Sequence, residues 1–248
     1  GGAGRALVRA VAELARERGA GDERLSANLE ALPFYDALGF TELMRELVAP
    51  VESLLAADAA PAGPSFGSIH IQSDDTPAVE RAVRQFVPRL PGGSNGSLLT
   101  PPRNGWIAVY DDVCDRDPRQ LRRLARELSD RMGAVALALG VEEGRVARFI
   151  LFDRGGIVDE YLSVQEYHGP LPPGDVVALQ ANPRVVSRLT GADPAAVRAA
   201  AVHADSPAEL PPPREILAEL ARVMGIEGGD HGYADAAATE GSVRIERG

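Results

Sequence analysis

Between residues 67 and 164, short apolar runs alternate with stretches whose apolar side chains recur every three or four positions. A run such as Trp106 to Tyr110 suits a strand, and spacing such as Leu121, Leu124, Ala125, Leu128 and Met132 suits one helical face. Only a layered fold with amphipathic helices laid on a sheet satisfies both periods. The reading is therefore α+β. Ser68 to Ile71 predicts a strand. Thr76 is a candidate N-cap with Pro77 at the first helical position, and Val79, Ala82, Val83, Phe86 and Val87 follow on one face. Leu90 to Arg103 reads as a Gly/Pro/Ser loop. Asp117-Pro118 starts the next helix, and Ala134 to Val141 reads as a buried strand. Val146 to Phe152 and Ile157 to Val164 flank Asp153-Arg154-Gly155-Gly156, a hairpin signal longer than the two-residue kind.

The flanks organise the rest. Residues 1–49 form a first unit. Arg5 to Arg18 reads as an amphipathic helix ended by Gly19-Ala20-Gly21, Arg24 to Leu29 as a short strand, Glu30 to Leu38 as a short helix stopped by Gly39, and Thr41 to Val48 as a closing strand. Residues 50–66 are Pro/Ala-rich and read as a linker. Residues 67–226 form a mixed α/β domain with a helical C-terminal part. There Asp193-Pro194 starts one helix, and Pro211-Pro212-Pro213 leads into another over Arg214 to Met224. Residues 227–248 are Gly/Ala/Glu-rich and read as a disordered tail.

Composition excludes several function classes. All 26 basic residues are arginine, which rules out a lysine Schiff base or a Walker-type lysine. The net charge of −10 disfavours binding to nucleic-acid backbones. One cysteine, Cys114, forms no intramolecular disulfide and no cysteine-rich zinc site, so a reducing cytoplasm fits. The longest apolar run has eight residues, Ala134 to Val141, against about 20 for a membrane span. The chain opens on Gly1-Gly2-Ala3-Gly4-Arg5 without methionine and reads as the C-terminal part of something longer.

Gly2-Ala3-Gly4-Arg5-Ala6 opens a helix. First-turn amides have no intrahelical partner, and the helix dipole places about half a positive charge beside them. Glycines there let an anion approach the backbone, and pyrophosphate is a natural guest. The same residues also suit a plain turn. About twenty-five residues on comes Asn28-Leu29-Glu30-Ala31-Leu32-Pro33-Phe34-Tyr35-Asp36-Ala37-Leu38-Gly39-Phe40, an N-x-x-A-x-x-F-Y-x-x-x-G-F pattern. By residue type alone, Asn28 is a ligand contact or a helix cap, and Tyr35 is an acid or a packed tyrosine.

Together these segments resemble the C-terminal half of the GCN5-related N-acetyltransferase (GNAT) family, over residues 1–48. The resemblance implies a partial GNAT-like α/β unit. Gly2, Ala3, Gly4, Arg5 and Ala6 would cradle the pyrophosphate of acetyl-CoA, the co-substrate. Asn28 would hold the pantetheine arm or brace the next helix, and Tyr35 would protonate the leaving thiolate. The function implied is acyl-CoA-dependent N-acylation, with acetyl the expected group and a small-molecule or protein amine as acceptor. No metal, nucleic acid or membrane is involved in that scheme. The strands that precede this half in the family, and the basic or Gln residue before the glycines, are absent, so the fragment alone is expected to be inactive. The competing expectation is a non-catalytic binding or regulatory α+β module with a vestigial GNAT segment.

The remaining polar residues carry weaker signals. Asp111, Asp112, Asp115 and Asp117 cluster after a strand and read as a solvated loop with Asp117 as a cap, ahead of a divalent-metal site. His70 falls mid-strand. His70, His168, His203 and His231 share no metal-like spacing. Tyr161, Tyr167 and His168 are candidates to line a pocket. Trp106 and the hairpin are assigned to the core, and Cys114 lacks the paired histidine a nucleophile needs.

Overall fold

The computed structural model describes residues 63–246, within the second of the two units into which the chain divides, Val51–Gly248. The elements expected in residues 1–49, and with them Gly2, Ala3, Gly4, Arg5, Ala6, Asn28 and Tyr35, lie outside the described residues.

The strands are β1 (Phe66–Gln72), β2 (Gly96–Leu99), β3 (Trp106–Asp111), β4 (Val135–Glu142), β5 (Val146–Asp153), β6 (Gly156–Leu162) and β7 (Val243–Glu246). They form one seven-stranded sheet in the order β6-β5-β4-β1-β3-β2-β7, antiparallel at each pairing. Because successive side chains point to opposite faces, β1 divides its residues cleanly. Ile69 and Ile71 enter one core, whereas Ser68 and His70 face the other side.

The first face is covered by α1 (Thr76–Phe86), α2 (Asp112–Arg116) and α3 (Pro118–Met132). Asp117 caps α3, its Oδ1 accepting the Arg119 amide at 2.8 Å, and Pro118 occupies the first turn. Leu121, Leu124, Ala125 and Leu128 are buried along one face of α3, as their spacing predicts. Each leucine stabilises the fold by about 2 kcal/mol through burial. While α4 (Pro173–Ala178) lies beside β6 and buries none of its residues, the second face is covered by α5 (Pro183–Thr190), α6 (Pro194–Ala200) and α7 (Pro213–Val223). Val186, Val197, Ile216, Leu217 and Leu220 pack there on Leu137, Leu139, Phe149 and Leu151. The architecture is α+β, with helices on both faces of an antiparallel sheet.

Several local expectations need correction. The cap of α1 is Asp75, not Thr76; Asp75 Oδ1 accepts the Ala78 amide at 2.9 Å. The loop expected at Leu90 to Arg103 contains β2, and α2 follows β3 directly. The hairpin turn is short after all, since Asp153 pairs with Gly156 and leaves two residues, with Arg154 at φ 49°. Residues 63–66 are not free linker. The Gly63 amide donates to the Glu143 carbonyl at 2.8 Å, and Ser65 Oγ accepts the Glu143 amide at 2.8 Å.

The largest departure is the C-terminal segment, which is folded through residue 246. It crosses the second face beside β1, β3 and β2, where Tyr233 and Ala236 pack on Leu98, Ala108 and Tyr110, and it ends as β7 on β2. Asp115 fixes it. One carboxylate accepts the Gly67 amide at 3.1 Å, the Tyr233 amide at 3.2 Å and the Ala234 amide at 3.1 Å. Composition favoured disorder, but the segment is short of its own core and borrows the sheet's.

Candidate functional site

The second face is covered by helices over β4, β5 and Trp106, and by the C-terminal segment over Leu98, Ala108 and Tyr110. A cavity of about 170 Å³ remains at that junction. Its inner wall is His70, Trp106 and Ala108, and its outer wall is Thr100, Arg103, Glu227, Gly228 and Thr239.

Strand alternation brings the inner residues together. In register, His70 pairs with Ala108 and Gln72 with Trp106, so these positions share one face. Ser68 Oγ and His70 Nε2 are hydrogen-bonded at 3.0 Å, and both residues are buried. Burial, with a smaller repulsion from His231, lowers the His70 pKa to about 3. The ring is therefore neutral at physiological pH. A Tyr110 ring meets it edge-on, with centroids 6.3 Å apart, and His231 stacks on Tyr110 at 5.0 Å.

The outer wall is held by backbone anchors. Tyr110 Oη donates to the Gly228 carbonyl at 2.9 Å. Burial first, and the nearby Asp230 charge second, raise that phenol's pKa, so it stays protonated as the donor. Gly228 has φ +74°, and a Cβ there would lie 2.2 Å from Tyr110 Oη; only glycine allows this approach. Asp230 Oδ1 and His231 Nδ1 are 3.0 Å apart, which orients the ring stacked on Tyr110. Asn104 and Gly105, at φ 51° and 79°, make a two-residue turn between Arg103 and Trp106, whose backbones exchange hydrogen bonds of 2.8 and 2.9 Å. Asn104 Nδ2 donates to the Gly225 carbonyl at 3.2 Å. That bond ties the segment bearing Arg103 to the segment bearing Glu227.

This arrangement binds better than it catalyses. A conjugate acid of pKa about 3 makes His70 a poor base; taking a proton from an alkylammonium near pKa 10 would run roughly 10 kcal/mol uphill. The volume is below the roughly 300 Å³ at which sites for drug-sized ligands begin, so a whole coenzyme does not fit inside.

Other polar residues singled out in the sequence have structural work. Asp111 Oδ1 accepts the Val113 amide at 3.1 Å at the start of α2, Asp112 holds Asn95 and Arg116, and Asp117 caps α3. No group of three His, Cys, Asp or Glu side chains able to hold a metal occurs among the described residues. Tyr161, Tyr167 and His168 do not form a shared pocket. Tyr161 is buried in the second core with its hydroxyl donating to the Val202 carbonyl, while Tyr167 and His168 contact Glu143 and Glu142 at the β4–β5 turn. Cys114 is buried, and burial among aspartates pushes its thiol pKa well up, which leaves it unreactive.

Trp106 was assigned to the core and does pack there, but it also walls the cavity. Nothing in their own sequence neighbourhood gives Thr100, Arg103 or Glu227 a role. The Asn104-Gly105 pair is a strong two-residue hairpin signal and marks where Arg103 and Trp106 must face each other. Nothing local marks Glu227, which reaches the site through the course of the C-terminal segment.

No helix among the described residues is long and apolar enough to cross a membrane. No curated protein and no solved structure matches the chain. The first 40 residues match the model of the acetyltransferase (GNAT) family, a stretch of the chain that precedes the whole of the described unit.

Proposed function

We propose that this chain serves acyl-CoA-dependent N-acyl transfer, with acetyl as the group and a small-molecule or protein amine as acceptor. The observation that carries the proposal is the family match over residues 1–40, which spans both the Gly2-Ala3-Gly4-Arg5-Ala6 segment and the Phe34-Tyr35 motif. We assign residues 1–48 to the C-terminal half of a GNAT domain. Gly2, Ala3, Gly4, Arg5 and Ala6 then present backbone amides to the pyrophosphate, and Asn28 meets the pantetheine. The amine nitrogen attacks the thioester carbonyl carbon and the carbon–sulfur bond breaks. Tyr35 protonates the departing thiolate, and the proton lost by nitrogen returns to the phenol through solvent. No covalent enzyme intermediate is needed, so catalysis rests on positioning and on stabilising the oxyanion.

The described α+β unit is, in this reading, an accessory binding module. The neutral, shallow-basicity His70 and the small cavity support binding over acid–base work.

The test uses the full-length protein. Acetyl-CoA should raise its melting temperature, because a ligand that binds only the folded state stabilises it. Tyr35→Phe should lower turnover, followed by release of free CoA thiol, while leaving acetyl-CoA affinity within about twofold. Unchanged turnover would assign Tyr35 to packing, and no thermal shift with millimolar acetyl-CoA would remove the pyrophosphate site.

A further inference from the structure

We propose that the cavity between β1, β3 and the C-terminal segment is a binding site for a small free α-amino acid with an apolar side chain. The site lies wholly within the described unit, and the proposal does not rest on the acyl-transfer reading.

Three observations lead to this ligand class. The first is charge. Arg103 and Glu227 both line the cavity, on two segments joined by the Asn104 to Gly225 hydrogen bond, yet neither forms an ion pair with the other or with any described residue. A guanidinium and a carboxylate held close but apart match a ligand that carries a carboxylate and an ammonium. An arginine fork suits a carboxylate in particular. His70 adds no charge, so the cavity is neutral overall and favours a ligand of zero net charge.

The second is size. A cavity of about 150 Å³ holds a benzene molecule, so 170 Å³ admits about six to nine non-hydrogen atoms. That range runs from alanine to leucine and excludes nucleotides and peptides. The third is the inner wall. Trp106 and Ala108 offer an apolar surface for a side chain. Ser68 engages His70 Nε2, which leaves Nδ1 as the ring atom available for a hydrogen bond.

The protein supplies its own reporter. Trp106 is the single tryptophan of the chain and lies in the cavity wall. Titration of the whole chain with L-valine should change tryptophan emission saturably in the millimolar range or below, with matching heat in calorimetry. Isovalerate lacks the ammonium and isobutylamine lacks the carboxylate, and each should bind about tenfold more weakly or worse. Arg103→Gln should weaken L-valine by a similar factor while leaving isobutylamine unchanged. Glu227→Gln should weaken L-valine while leaving isovalerate unchanged. Both side chains are exposed, so the variants should keep the far-UV circular dichroism of the parent.

Absence of any saturable signal from alanine, valine and leucine, by emission and by calorimetry, would overturn the proposal. So would isovalerate binding as tightly as L-valine, which would make this an anion site. Tight binding that survives both substitutions would place the ligand elsewhere and overturn it equally.

Discussion

Replacing His70 with glutamine should flatten the acid limb of the protein's stability curve. In the fold the imidazole titrates near pH 3, against 6.5 when exposed. Between those values the unfolded chain takes up a proton that the folded chain does not. Stability therefore rises with pH through this window and is lost as pH falls below about 6.5. The slope approaches 1.4 kcal/mol per pH unit in mid-window. From pH 7 to pH 5 the contribution amounts to about 2 kcal/mol, and across the full window to about 5 kcal/mol. For a chain of this size, 2 kcal/mol corresponds to a melting shift of about 4–8 °C.

The assay is urea unfolding of parent and His70→Gln at pH 7 and pH 5. Glutamine keeps a polar group for Ser68 but does not titrate. Its cost at pH 7 is immaterial, because the quantity of interest is the difference between the two pH differences. Carboxylates and the other histidines contribute alike to both proteins and cancel. The parent should lose about 2 kcal/mol more than the variant on acidification. Equal losses would refute the buried, neutral assignment of His70, and so would a His70 ring resonance that titrates near pH 6.5.

Two further substitutions test how the C-terminal segment is held. Gly228→Ala places a Cβ against the Tyr110 hydroxyl at a positive φ, and should destabilise the fold by about 2 kcal/mol with a blue or red shift in Trp106 emission; a neutral outcome in chemical denaturation would contradict the close approach. Asp115→Ala strips the acceptor from the Gly67, Tyr233 and Ala234 amides, and should cost about 1–3 kcal/mol while hydrogen exchange at Tyr233 and Ala234 speeds up. Exchange that stays slow there would show the segment is anchored without the carboxylate.

The parts of the fold written locally were legible in the sequence. Asp117-Pro118 and Asp193-Pro194 announce helix starts because an aspartate cap and a proline first turn act within three residues. The strand at Trp106 and the apolar face of α3 follow from period alone. The strands β2 and β7 were not legible. Each has four residues, set among glycine, proline or alanine, and each is a strand only through its partners: Leu98 pairs with Tyr110 of β3, and Ser97 pairs with Ile245 across most of the unit. The cavity shows the same limit. His70 was visible as a mid-strand histidine, but its companions Thr100, Arg103 and Glu227 converge only through tertiary packing. Of the Asp cluster, only the Asp117 cap is short-range and legible; Asp111 is buried at the end of β3 rather than in a solvated loop, and Asp115 holds amides of Gly67, Tyr233 and Ala234 far along the chain.

The placement of β7 has a consequence for how the protein comes to be. Pairing between residues near 97 and near 245 closes a loop of about 150 residues, and such contacts form late and slowly. The sheet can assemble from β6 through β2 while residues 227–246 are still being synthesised, but its edge is then β2, which is buried along its length in the finished fold, in place of the more exposed β7. The wall bearing Glu227 and Gly228 cannot be seated until residues 227–246 have emerged, so a ligand of this cavity binds only after that point. Nascent chains pass through a stage with the apolar β2 as an unpaired edge, where self-association competes with completion of the fold.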